Sequence, residues 1–278
     1  VSNDVLLNFI AFLWLGCLLQ FVTRPTTRAW FLVCFVLSLG LITKASALPL
    51  LGLSLLSLVI IHGIEWRQKR ILALTILLFA VISSGWYYIP RFLHEDGASS
   101  FLVGNIHDLN PKSHVSGIFL KSLVFNPFKV LRYPFVFPWG PRHDYFLEYY
   151  FKSAFLGEWW LSANYKWMAR FFIFFALAIF PVVVTGLVIT VRRRIRPAIL
   201  LATILLGLFI AQWLFVQIAP FMSSQDFRYV VVLTVPIAYF LVEGLRGLPE
   251  RMHGWSNVML RLLMINCGAY LIAVALFN

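Results

Sequence analysis

The chain has 278 residues, of which 61% are hydrophobic and only 12% charged, against roughly a quarter charged in soluble domains. That balance excludes a soluble globular domain, which could not hide so much apolar surface, and makes lipid the solvent. The net charge of +12 would suit nucleic acid, but the basic residues sit in short clusters between apolar runs, as membrane proteins distribute charge, and this excludes a nucleic-acid partner.

A span needs roughly 20 apolar residues. In chain order the apolar runs predict eight spans, near residues 5–22, 30–43, 47–62, 71–89, 167–191, 197–219, 229–243 and 258–277. The fold class is therefore an all-α integral membrane protein, a single polytopic domain with one large outer loop over residues 90–166. The stretch 30–61 decides the count. As one helix it would be about 48 Å long, well beyond a hydrocarbon core of roughly 30 Å. The polar break Thr43-Lys44-Ala45-Ser46 splits it into a hairpin, sparing a lone lysine the roughly 2.5–3.5 kcal/mol cost of the bilayer centre.

Charge partition agrees with that count. Arg24 and Arg28; Arg67, Lys69 and Arg70; Arg192, Arg193, Arg194 and Arg196; and Arg246, Arg251 and Arg261 form four short connections, two spans apart in each case. All four then fall on one face, which the positive-inside rule makes cytoplasmic. The tip near Lys44, the long loop and residues 220–228 face outward, together with the N-terminus. The chain begins with Val and has no basic segment before its first apolar run. It therefore reads as a fragment or processed product without a cleavable signal peptide.

The outer loop is dense in aromatic residues, among them Phe125, Phe128, Tyr133, Phe135, Trp139, Tyr149, Tyr150, Trp159 and Trp160. Residues 112–130 and 145–161 read as amphipathic helices lying in the membrane interface. Cys17, Cys34 and Cys267 fall inside apolar segments and are odd in number, so neither a disulfide framework nor a zinc site is indicated. The histidines show no metal-ligand spacing.

Four places concentrate chemistry-bearing residues. Ser2-Asn3-Asp4 reads as a helix start, with Asp4 favoured by the helix dipole. It reads equally as a catalytic or substrate-orienting carboxylate at the outer mouth of a membrane cavity. Lys44 is either a snorkelling side chain or a cation meeting a lipid phosphate. In Ser223-Ser224-Gln225-Asp226-Phe227-Arg228-Tyr229, Ser223 and Asp226 fit a capping box. Arg228, which opposes the dipole at a helix start, fits a phosphate cradle. Lys44 and Arg228 are expected to converge on one phosphate, since neither has a counter-charge near it in the sequence. In the loop, Arg142, Asp144, Lys152 and Glu158 are polar groups among aromatics, either interface anchors or contacts to a sugar or acceptor. No nucleophile elbow, Walker loop, metalloprotease motif or dinucleotide fingerprint is present.

Val1-Ser2-Asn3-Asp4 running into a span, Gly40-Leu41-Ile42-Thr43-Lys44-Ala45-Ser46-Ala47-Leu48, and Asp226-Phe227-Arg228-Tyr229 followed by Pro236 occur in an order that resembles the GT-C glycosyltransferases. The likeness is to the protein mannosyltransferase and lipid A aminoarabinose transferase group. The resemblance implies a partial GT-C fold and a polyprenyl-phosphate sugar donor. It also implies transfer on the outer face, in the inner membrane of a bacterium. Asp4 would be a secondary carboxylate, with the principal base in an outer loop that this chain lacks. The other partners implied are membrane lipids. No cofactor is specified, a divalent metal is left open, and the oligomeric state is undefined. Two other classes stay in view: a transporter or flippase of lipid-linked glycans, and a non-catalytic membrane subunit. Against the first, no pair of matching halves with Gly/Pro-broken helices is visible.

Overall fold

The computed structural model describes residues 3–61, 63–94, 123–135, 145–156, 166–218 and 227–248, together with 254, 258 and 261. The described residues are helical and contain no strand. They divide into two compact units, one of residues 1–113, 194–220 and 229–236, the other of residues 114–193, 221–228 and 237–278.

In the first unit, α1 (Asn3–Thr23) carries Asp4 in its first turn, where unpaired amides favour a carboxylate. A short connection leads to α2 (Thr27–Thr43), capped by Thr26, whose hydroxyl accepts the Ala29 amide at 3.2 Å. The two helices pack along each other around buried Trp14, Leu18, Phe21, Trp30, Val33 and Leu37. Lys44 is extended (φ −163°, ψ 143°), and a tight turn over Ala45–Ala47 leads into α3 (Leu48–Ile60) with a proline in its first turn. The Trp14 indole donates to Ser54 at 2.9 Å, joining α1 to α3.

Next come α4 (Trp66–Ala80), a π turn (Val81–Gly85) and α5 (Trp86–His94). The Trp30 indole donates to the Leu72 carbonyl at 3.0 Å, and the Tyr88 hydroxyl donates to the Leu41 carbonyl at 2.9 Å. These two bonds make α2 parallel to the α4–α5 rod, so α3 is the returning strand of a helical hairpin. Arg24, Arg28, Arg67, Lys69 and Arg70 consequently share one end of these helices, and Asp4, Lys44 and Tyr88 the other.

The second unit contains α6 (Pro127–Arg132), α7 (Phe146–Leu156) and α8 (Lys166–Arg192). Val130, Ala169, Phe172 and Ile173 form its core, with Phe125, Leu131, Phe135 and Phe151 packed against them. Back in the first unit, α9 (Arg196–Ile218) packs on α3, with Leu53 lying against Gly207. Within the second unit, the part of α10 (Thr234–Arg246) from residue 237 onward crosses α8 backbone to backbone. A Cβ on Gly186 would lie 1.8 Å from the Phe240 carbonyl oxygen, and one on Gly244 2.0 Å from that of Val182. Small residues at a helix crossing permit such an approach in a membrane, where dispersion and weak polar contacts hold helices together.

Four helices are long and apolar enough to cross a bilayer: Asp4–Thr23, Trp66–Pro90, Lys166–Arg192 and Arg196–Gln217. The described residues are all-α, and these four helices give the chain the character of a membrane protein. Thr27–Thr43 and Ala45–Ile60 are apolar but shorter. The expected span 258–277 falls outside the described residues except for 258 and 261. The expected helix at 229–243 needs correction, because residues Phe227–Leu233 form a 3₁₀ segment kinked at Val230 and the α-helix begins at Thr234. Pro236 fits the delay, since it lacks the amide that would bond the Val232 carbonyl and is tolerated in the first turn of an α-helix but not in its interior. Phe146–Leu156 is the described part of the expected helix 145–161. The expected helix 112–130 needs correction: residues 124–126 are not helical, and Asn126 caps a new short helix, Pro127–Arg132, whose proline suits a first turn and not a helix interior. Residues 112–122 and 157–161 lie outside the described set.

Candidate functional site

The mouth of the first unit is built by the ends of two helices. The N-terminus of α1 presents Asp4, and the break after α2 presents Lys44; the two form an ion pair forty residues apart in sequence. The side chains are 29% and 35% exposed respectively, so the pair is held by the protein yet open to an incoming group. Gly40 lets the turn pack closely. A Cβ there would press on Ala47 at 3.3 Å and Ile10 at 3.4 Å, and the Lys44 amide donates to the Gly40 carbonyl at 3.0 Å. Lys44 therefore has a counter-charge that its sequence neighbourhood does not contain. The Ser46 hydroxyl oxygen, shielded from solvent in the same turn, has no hydrogen-bond partner among the described residues.

The second unit holds charges of another kind. Glu148, only 1% exposed, forms an ion pair with Lys129. Its carboxylate also accepts the backbone amides of Asn126 and Tyr145, each at 3.3 Å. Asn126 in turn caps α6, its side chain accepting the Lys129 amide at 3.1 Å. One carboxylate thus ties the entrance of α6 to that of α7. Lys152, one turn further along α7, is fully buried and donates to the Phe135 carbonyl at 3.1 Å. It is not a headgroup anchor. Tyr149, Tyr150 and Ser153 are buried on the same helix, and burial pushes the Tyr150 hydroxyl well above the ordinary tyrosine value.

Of the residues singled out in the sequence, Asp4 and Lys44 come together and Lys152 sits in the second unit. Arg228 lies in the 3₁₀ segment, and its side chain is outside the described set, as are Arg142, Asp144, Glu158 and Asp226. Lys129 and Glu148 were not among the sequence candidates. The signal for Glu148 was its place among Phe146, Tyr149 and Tyr150, where a lone carboxylate has few solvent-facing alternatives. No group of three or more His, Cys, Asp or Glu suited to a metal occurs among the described residues.

Asp4 and Lys44 offer an acceptor and a donor of opposite charge side by side. Such a pair can orient a hydroxyl or amine through the carboxylate while the ammonium meets an anion. No family model, curated protein or solved structure matches the chain.

Proposed function

We propose that this protein is a membrane glycosyltransferase of the GT-C type, transferring a sugar from a polyprenyl-phosphate donor to an acceptor on the non-cytoplasmic face. The single observation that carries the reading is the Asp4–Lys44 ion pair. It joins in space two of the three sequence pieces on which the resemblance rests, Val1–Asp4 and Gly40–Leu48. In this reading a carboxylate removes a proton from the acceptor as the acceptor attacks the anomeric carbon. The bond that breaks joins that carbon to the lipid phosphate, which leaves as a stable anion. Catalysis is then mainly orientation and charge stabilisation. Lys44 meets the leaving phosphate and Asp4 orients the acceptor; Arg228 is proposed separately, from its place at a helix start in the sequence, as a phosphate contact. Arg142, Asp144, Glu158 and Asp226 are proposed as contacts to sugar or acceptor, whereas Lys152, fully buried on the Phe135 carbonyl, is a packing residue.

The decisive assay is transfer of radiolabelled sugar from a polyprenyl-phosphate donor by the intact protein in liposomes. Asp4→Asn should lower turnover by about 10- to 10⁴-fold if the group takes part in proton transfer, and Arg228→Ala should also impair it. Wild-type rates in both variants would remove the two residues from the reaction.

The reading requires eight spans, with the mouth of Asp4 and Lys44 outside. Cysteines placed at Ser99 and Ser223 should be labelled by an impermeant reagent in whole cells, and cysteines at Arg194 and Gly247 should not. Labelling at Gly247 from outside would sink the topology.

A further inference from the structure

The end of α2 is an unusual helix terminus, and it depends on a residue from another helix. A helix leaves its last four carbonyls without intrahelical donors. Here Gly40 receives the Lys44 amide. The donor that a continued helix would bring to Leu41 is the Ala45 amide, but Lys44 is extended and carries Ala45 away. No glycine in a left-handed conformation closes this end, unlike the common solution. The Tyr88 hydroxyl occupies the vacant position, donating to Leu41 at 2.9 Å.

Tyr88 reaches that carbonyl because of the π turn. Residues Val81–Gly85 interrupt the rod between α4 and α5, and such a turn inserts one residue into the helical ladder. In an α-helix one residue corresponds to about 100° of rotation, so a regular helix would turn Tyr88 away from α2. Single π turns inside longer helices are frequent at functional sites. This one, ending three residues before the tyrosine that caps the turn bearing Lys44, has a geometric consequence.

We propose that Tyr88, aimed by the Val81–Gly85 π turn, is a positioning residue that fixes the Lys44 turn and thereby holds Lys44 against Asp4. The consequence for catalysis rests on the transferase reading above; the positioning itself does not. Tyr88→Phe keeps the ring and removes only the donor. The Leu41 carbonyl then regains a partner by winding or fraying the turn, and either movement draws Lys44 away from Asp4.

The test is acetylation of the intact protein in nanodiscs by a water-soluble amine-acylating reagent, with rates at individual lysines read by mass spectrometry. Lys129, paired with Glu148 in the second unit, is the internal reference, since a general loosening accelerates both lysines. Tyr88→Phe should raise the Lys44 to Lys129 rate ratio by about two- to tenfold, the population change that corresponds to one net hydrogen bond. Deletion of Ser83, which restores a regular helix, should do the same. Thr75→Val, which removes an exposed hydroxyl bonded within α4, should leave the ratio unchanged. An unchanged ratio in Tyr88→Phe overturns the proposal, as does an equal rise at both lysines. Binding of undecaprenyl phosphate to the same nanodiscs separates the two claims. A raised ratio with weakened binding supports both. A raised ratio in a protein that binds no undecaprenyl phosphate, mutant or wild type, supports the positioning role and removes the phosphate reading.

Discussion

The two units place charge in opposite ways. At the mouth of the first, Asp4 and Lys44 form an ion pair with about a third of each side chain exposed. In the second, Glu148 and Lys152 are 1% and 0% exposed, and Glu148 gathers one ammonium and two backbone amides. A pair partly open to water contributes less to stability than a buried one, because water competes for both partners. A buried carboxylate carries a large desolvation cost and persists only when its oxygens are satisfied, so its removal is felt throughout the elements it joins. The difference separates a site free to exchange partners from a clamp that must not.

The largest expected effect lies at the clamp. Glu148→Ala leaves Lys129, whose side chain is only 23% exposed, without its carboxylate, and deprives the Asn126 and Tyr145 amides of their acceptor. The loss should be about 3–5 kcal/mol, measured by equilibrium unfolding in mixed micelles. Replacing both partners, Glu148→Leu with Lys129→Met, should recover much of it, because a matched apolar pair carries no unpaired charge. A loss below about 1 kcal/mol for Glu148→Ala, the range of an exposed pair, would erase the contrast between the units.

The contrast also marks where sequence reasoning reached and where it stopped. Membrane character follows from the apolar runs alone, and the break at Thr43–Ser46 coincides with the end of α2 because polar and small residues interrupt the apolar pattern there. The buried charges of α7 misled because an interfacial helix is expected to turn its charges toward water. Here Glu148 and Lys152, four residues apart, share the inward face. The late start of α10 fits Pro236 in its first turn, but a continuous apolar run masks a change from 3₁₀ to α geometry. Neither the π turn nor the meeting of Asp4 with Lys44 has a local signature. The first is a one-residue insertion in an otherwise regular pattern, and the second is made by the packing of α1 on α2.

The smallest expected effect on stability is at the mouth, and its smallness is the point. Asp4→Asn, Lys44→Met and the double variant form a cycle whose coupling energy should stay at or below about 1 kcal/mol in the same unfolding measurement. Each single variant removes one charge from a pair that water already solvates in part, so the remaining partner is not stranded as Lys129 would be. Salt should weaken the coupling further, since exposed pairs are screened over about 10 Å at 0.1 M. If the pair serves ligand exchange, Asp4→Asn alters what Lys44 can hold without altering whether the bundle folds. A coupling of 3 kcal/mol or more would place Asp4–Lys44 in the same class as Glu148–Lys129. The mouth would then be a second structural clamp, and the argument for an exchangeable anion at Lys44 would lose its basis.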